Sequence, residues 1–279
     1  MKTDERTPLS YNAIPPQASS SARTDKLLSF GALLVCCALL AALRCREFFT
    51  EKGSTACVLV TICSVIIMFL LSLRSRRMFR PALQYGKISV TFGASVSACL
   101  LLMATGISIY YNYFVSTPIM DANFAVSFLA KVSAVASAVS FVITSATHAL
   151  EKKKTLHLLL TLPPIFYCAM RVLNTFINSS TLPLAVTGGY RVLGLIAAML
   201  FFLNEGKLLL GMKTSTAYQF TGFTAAIFCA AYDLPILVQG IREGGFGPNA
   251  AYSLLTIGLV AYILTRIATL PAREEELAE

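Results

Sequence analysis

The chain contains no tryptophan, only two histidines, and charged residues at just 13% of its 279 positions. A soluble domain carries roughly 25% charged residues because its surface must face water. Hydrophobic residues meanwhile reach 56%. A surface turned towards lipid accounts for both figures, and a soluble globule does not. The longest mainly polar stretch, 1–26, is too short and too poor in apolar residues to build a core. It holds Pro8, Pro15, Pro16 and the run Ser19-Ser20-Ser21, and it reads as a disordered tail. The acidic residues 274–276 close a short second tail over 271–279.

Catalytic patterns are missing as well. There is no G-x-S-x-G, no H-E-x-x-H and no G-x-x-x-x-G-K-[ST]. Proteolysis within a membrane would want paired Asp residues, a Ser with a His, or metal ligands. Asp233 is the acid placed inside an apolar run, and neither His148 nor His157 is central to one. The eight cysteines show no C-x-x-C spacing and no His pair nearby, so they read as small apolar residues. No metal and no cofactor is expected.

What is present is a series of long apolar runs: 27–44, 54–73, 88–114, 122–147, 155–177, 184–208, 216–239 and 250–269. A hydrocarbon core about 30 Å thick needs roughly 20 residues of helix at 1.5 Å each. The runs far exceed the roughly 10 residues of a membrane strand, and they lack strict alternation. They are expected to be apolar all round. The predicted fold is therefore all-α, one polytopic domain over 27–270 with about eight transmembrane helices. The small residues Ser133, Ala134, Ser137, Ala138 and Ser140 of the fourth run predict close packing and a central place for that helix.

The net charge of +9 gathers between the runs, as at Arg74, Arg76, Arg77 and Arg80. That placement suits anionic lipid headgroups at cytoplasmic loops and no nucleic-acid partner. Alternate connections carry fifteen Lys and Arg residues against four on the other side. By the positive-inside rule both chain ends are cytoplasmic. The expected location is an integral one in the cell membrane.

Ionisable side chains within a bilayer cost roughly 2.5–3.5 kcal/mol each on insertion scales. Lys131, Arg171, Arg191 and Asp233 fall in the fourth to seventh runs, each about 9–14 Å below the outer boundary by helix rise. Tyr190 and Tyr232 lie at similar depth. One reading is an outward cavity with surplus positive charge, in which Arg grips a carboxylate or phosphate of a small anionic solute. Pro235 would break the seventh helix beside it. The other reading has Arg171 and Arg191 reaching to the interface while Asp233 pairs with Lys131 or Arg171. Towards the opposite face, Glu205 and Arg266 make a candidate buried pair if the sixth helix continues past Leu203; otherwise Glu205 is solvated. Pro163-Pro164 marks a kink or a late helix start.

Three functions follow as expectations. They are a transporter for a small anionic solute, a non-catalytic membrane sensor or assembly partner, and a membrane-embedded enzyme acting on lipid-linked substrates. Motif absence weighs against the enzyme. No particular protein partner is indicated.

Overall fold

In a computed structural model, residues 20–50, 55–75, 88–111, 124–146, 154–179, 186–212, 214–242 and 247–270 are described. Nine helices account for nearly all of them: α1 (Ser20–Thr50), α2 (Thr55–Ser75), α3 (Ile88–Tyr110), α4 (Phe124–Ala146), α5 (Lys154–Leu160), α6 (Leu162–Ser179), α7 (Val186–Leu209), α8 (Ser215–Arg242) and α9 (Pro248–Ala268). Eight stretches are long and apolar enough to cross a bilayer, with α5 and α6 together forming one of them, Thr155–Ile177. The architecture is that of an all-helical, multi-pass membrane protein.

Helix α1 starts at Ser20, seven residues ahead of the first apolar run, so 20–26 are helical rather than part of a disordered tail. The Lys26 ammonium donates to the Leu270 carbonyl at 2.9 Å, just past the end of α9. A cation there meets the negative end of the helix dipole, which favours the extension. Residues 1–19 and 271–279, the basic loop residues Arg76, Arg77 and Arg80, and His148 lie outside the described residues.

Six helices close into a ring. In order around it, α3 packs on α4, α4 on α6, α6 on α7, α7 on α8, α8 on α9, and α9 returns to α3. The hairpin of α1 and α2 stands outside and packs on α8, while short α5 lies against α4, α6 and α7. The most enclosed helices are α8 and α9, each with 72% of its span buried against 39% for α4. The small residues of α4 thus do not place it centrally. They occupy its inner face, whereas Val132, Val135, Val139 and Val142 are exposed on its outer side. Around α8, Ala225, Ala226, Ala230 and Ala231 allow approach from several sides.

The tightest seam joins α3 to α9. A Cβ built on Gly93 would lie 2.6 Å from the Cβ of Thr265, and one on Gly258 would lie 3.2 Å from the Cβ of Leu100. Glycine at both crossings lets the backbones meet where any side chain would hold them apart. Many inward hydroxyls are satisfied within their own helices, as in Ser97 Oγ to the Gly93 carbonyl at 2.8 Å and Ser137 Oγ to the Ser133 carbonyl at 2.7 Å. This back-bonding keeps polar side chains from needing water inside an apolar bundle.

Three local features bear on the polar interior. The expected fifth helix is broken at Thr161, whose amide bonds back only three residues to the Leu158 carbonyl at 3.2 Å. Pro163 and Pro164 supply no amides to continue the ladder there. Secondly, α6 is not apolar all round. Tyr167, Cys168, Arg171 and Asn174 are buried on one face, while Leu162, Phe166, Leu173 and Phe176 are exposed on the other. A helix on a polar-lined interior shows this stripe. Thirdly, α7 runs past Leu203 and Glu205 to Leu209 before stopping. There the Gly211 amide meets the Leu208 carbonyl and the Met212 amide meets the Lys207 carbonyl, each at 3.0 Å, with Gly211 at φ +82°. That is the left-handed glycine stop of a Schellman motif.

Candidate functional site

The ring is polar at two levels along its axis. On α7, Arg191 and Glu205 are fourteen residues apart, and on α9 so are Tyr252 and Arg266. Fourteen residues make almost four turns, so each pair shares a helix face with about 21 Å between its members. One level gathers around Arg171, Arg191 and Tyr252, the other around Glu205, Arg266 and Tyr262.

At the first level, α6 contributes Arg171, which is only 4% exposed. Its guanidinium carbon lies 3.8 Å from the centroid of the Tyr252 ring of α9. Arg191 of α7 lies 5.6 Å from the same ring and 5.8 Å from that of Tyr232. Tyr252 thus lies within cation–π range of two cations, an arrangement worth up to about 2 kcal/mol when desolvated. The Nε and Nη2 groups of Arg191 are buried without a hydrogen-bond partner. Asp233 of α8, 1% exposed, sits beside Ser253 and Cys229 within electrostatic reach of Arg191 and Arg171. Its Oδ1 also lacks a hydrogen-bond partner, and Asp233 forms no ion pair among the described residues. Helix α8 carries this carboxylate without interruption through Pro235. The expected break is absent: a proline within a helix removes one backbone bond and can leave the rest of the ladder in place.

Lys131 of α4 joins Arg171 on the wall of a cavity between α3, α4, α6 and α9, together with Tyr167, Tyr252, Thr105 and Ser108. Its volume is about 10 Å³, close to the minimum for one water and far below a small-molecule site. Tyr190 belongs to a neighbouring cluster instead. Its ring lies 4.6 Å from the guanidinium of Arg44, and Thr61 and Cys57 are close to it. Arg44 in turn donates through Nη1 to Glu47 at 2.5 Å.

At the second level, Arg266 Nε donates to Glu205 Oε1 at 2.7 Å, with side chains 0% and 1% exposed. The Tyr262 hydroxyl donates to the same oxygen at 3.1 Å. The Tyr262 ring stacks on Phe141 of α4 with centroids 4.4 Å apart, and Phe202 of α7 follows at 5.8 Å. Beside this stack a second cavity of about 10 Å³ is lined by Glu205, Tyr262, Phe141, Thr144, Thr161 and His157. Glu205 Oε2 has no hydrogen-bond partner.

The structure therefore brings Arg171, Arg191, Asp233, Tyr232 and Lys131 into one layer, sets Tyr190 apart with Arg44, and joins Glu205 to Arg266. Sequence reasoning passed over Tyr252, Ser253, Tyr262 and the Arg44–Glu47 pair. It also treated His157 as an edge residue, whereas it is buried at 3% exposure. The fourteen-residue spacing on α7 and α9 is the signal that points to Tyr252. No group of three His, Cys, Asp or Glu side chains comes together among the described residues.

Comparison with protein-family models, with curated proteins and with solved structures gives no match to this chain.

Proposed function

We propose that the protein binds a small anionic solute at the Arg171–Arg191 layer and carries it across the membrane. One observation carries this reading: the buried Arg171 and the half-buried Arg191, whose Nε and Nη2 are enclosed, share a tyrosine ring and have no carboxylate in contact among the described residues. A buried cation left unpaired is costly. The layer holds Lys131, Arg171 and Arg191 against Asp233, so it is short of negative charge. The Nε and Nη2 groups of Arg191 form the side-on fork that matches two oxygens of a carboxylate or phosphate. An anion lying between Arg191 and Arg171 supplies that charge. In this scheme the Arg191 level faces outwards, both chain ends are cytoplasmic, and the basic loops rest on anionic headgroups of the cell membrane. The Glu205–Arg266 pair and the Phe141–Tyr262 stack close the inner end.

The test uses the purified full chain in lipid nanodiscs, with inorganic phosphate, acetate, succinate and chloride as probes. At least one anion should raise the thermal midpoint in a saturable way. Arg191→Gln should weaken that anion's binding at least tenfold, equivalent to about 1.4 kcal/mol. If no probe stabilises the protein, or if Arg191→Gln binds as well as wild type, the reading fails. The small size of both cavities favours a competing role as a non-catalytic sensor or assembly partner, for which no anion-dependent stabilisation is expected.

A further inference from the structure

We infer that the second cavity is a proton-binding site, in which His157 of α5 and Glu205 of α7 hold one proton between them. As a proton site this stands alone; as the coupling step of transport it rests on the function proposed above.

The two oxygens of Glu205 are used unequally. Oε1 accepts from both Arg266 Nε and the Tyr262 hydroxyl. Oε2 is buried with no partner. Both Glu205 and His157 line the same cavity, which has room for about one water. A buried acceptor without a donor is the place where a proton, or a water delivering one, makes a bond that the protein itself does not. His157 adds a group that exchanges protons near neutral pH in its ordinary state.

The alternative occupant, a metal cation, fits poorly. The cavity is too small for an ion with its oxygen shell, and the Arg266 charge lies on the other oxygen of the same carboxylate. A proton needs neither room nor a ligand shell. Intramembrane carboxylate and imidazole groups in series are a known route for protons.

The charged and titratable groups facing Glu205 are few. Helix α9 brings Arg266 and Tyr262, and α5 brings His157. Helix α8 brings Tyr218, stacked on Phe201 one turn before Glu205. On α7 itself Lys207 is exposed. The described part of α4 carries one charged residue, Lys131, at the other level, as does α6 with Arg171, Tyr167 and Cys168.

The proton balance is simple. A proton from a hydronium ion of the medium, which becomes water, reaches the His157 imidazole, passes through a bridging water to Glu205 Oε2, and leaves the imidazole neutral again. The carboxylate becomes a carboxylic acid, its charge is lost, and its hold on Arg266 loosens.

Infrared pH-difference spectroscopy on the full chain in phosphatidylcholine vesicles tests this without any solute. On acidification, a carboxylic-acid carbonyl band should appear. Glu205→Gln should abolish that carbonyl band. His157→Gln, which keeps the Glu205–Arg266 pair and so guards against misfolding of the first variant, should move the carbonyl titration by about one pH unit or more, tenfold in proton affinity. A carbonyl band that survives Glu205→Gln in a protein of unchanged circular dichroism overturns the inference. So does a His157→Gln titration superimposable on wild type. Anion binding at Arg191 without this titration removes the proton site alone, and the converse result removes the transport reading alone.

Discussion

Replacing Glu205 by glutamine removes one charge from a pair separated by sixty-one residues in sequence and shielded from solvent at both ends. The amide oxygen of Gln can still accept from Tyr262, so that bond, worth about 1 kcal/mol, is kept. The loss falls on Arg266, the largest fully buried side chain among the described residues, which stays charged while the carboxylate its Nε donates to is gone. Breaking a buried pair in this way costs about 3–5 kcal/mol. The hydrogen bond retained through Gln places the expected loss near the lower end, at about 3 kcal/mol. Removing the stranded charge as well should reverse most of it, because apolar residues replace buried ion pairs at little or no cost. Glu205→Gln/Arg266→Met is therefore expected to be more stable than Glu205→Gln alone. Equilibrium unfolding of the full chain in mixed detergent–dodecyl sulfate micelles reads these differences. Circular dichroism is the signal of choice in a chain without tryptophan. A Glu205→Gln loss under about 1 kcal/mol, or a double variant less stable than the single, would refute the claim that this pair is a desolvated, mutually dependent unit.

Gly93→Ala should destabilise the α3–α9 seam by about 1–3 kcal/mol, because its Cβ has no space against Thr265. Gly106→Ala, with nothing within 4 Å, should stabilise the same helix by up to about 1 kcal/mol, measured in the same unfolding assay. Tyr252→Leu removes the ring shared by Arg171 and Arg191 and should cost about 1–2 kcal/mol, while Tyr252→Phe keeps the ring and stays near wild type. Cys63 and Cys99 are exposed within the apolar stretches Thr55–Arg74 and Val90–Tyr110. In vesicles they should react with a lipid-soluble maleimide and not with a sulfonated one, whereas buried Cys168 and Cys229 should resist both until unfolding. Ready labelling of Cys63 and Cys99 by the sulfonated reagent would contradict a membrane-embedded surface.

The long apolar runs made the helices legible, because crossing a bilayer imposes length and composition at once. Glu205 and Arg266 were legible as candidates for the same reason: charges inside apolar runs stand out. Rotation about each helix axis was not. Tyr190 and Arg191 are sequence neighbours, yet about 100° of helix separates them, and they join different clusters. The place of α4 was misjudged because small residues show that a face packs closely without saying how many neighbours it meets. His157 looked peripheral by its position beside a lysine loop. The break at Thr161 sets α5 against α4 and α7, and so puts the imidazole into the interior. The stripe on α6 was readable in principle from the spacing of Tyr167, Arg171 and Asn174.

The uninterrupted course of α7 and α9 has a mechanical consequence. Each is a stiff rod that carries one member of both polar levels on a single face. A tilt or slide of α7 that moves Arg191 must also move Glu205, and the same bond ties Tyr252 to Arg266 along α9. The wall beside α7 is jointed, since α5 and α6 meet at Thr161 and two prolines. Rods and a hinge side by side give the ring a yielding joint beside His157. A displacement of Arg191 along α7 is thereby carried to Glu205, about 21 Å away.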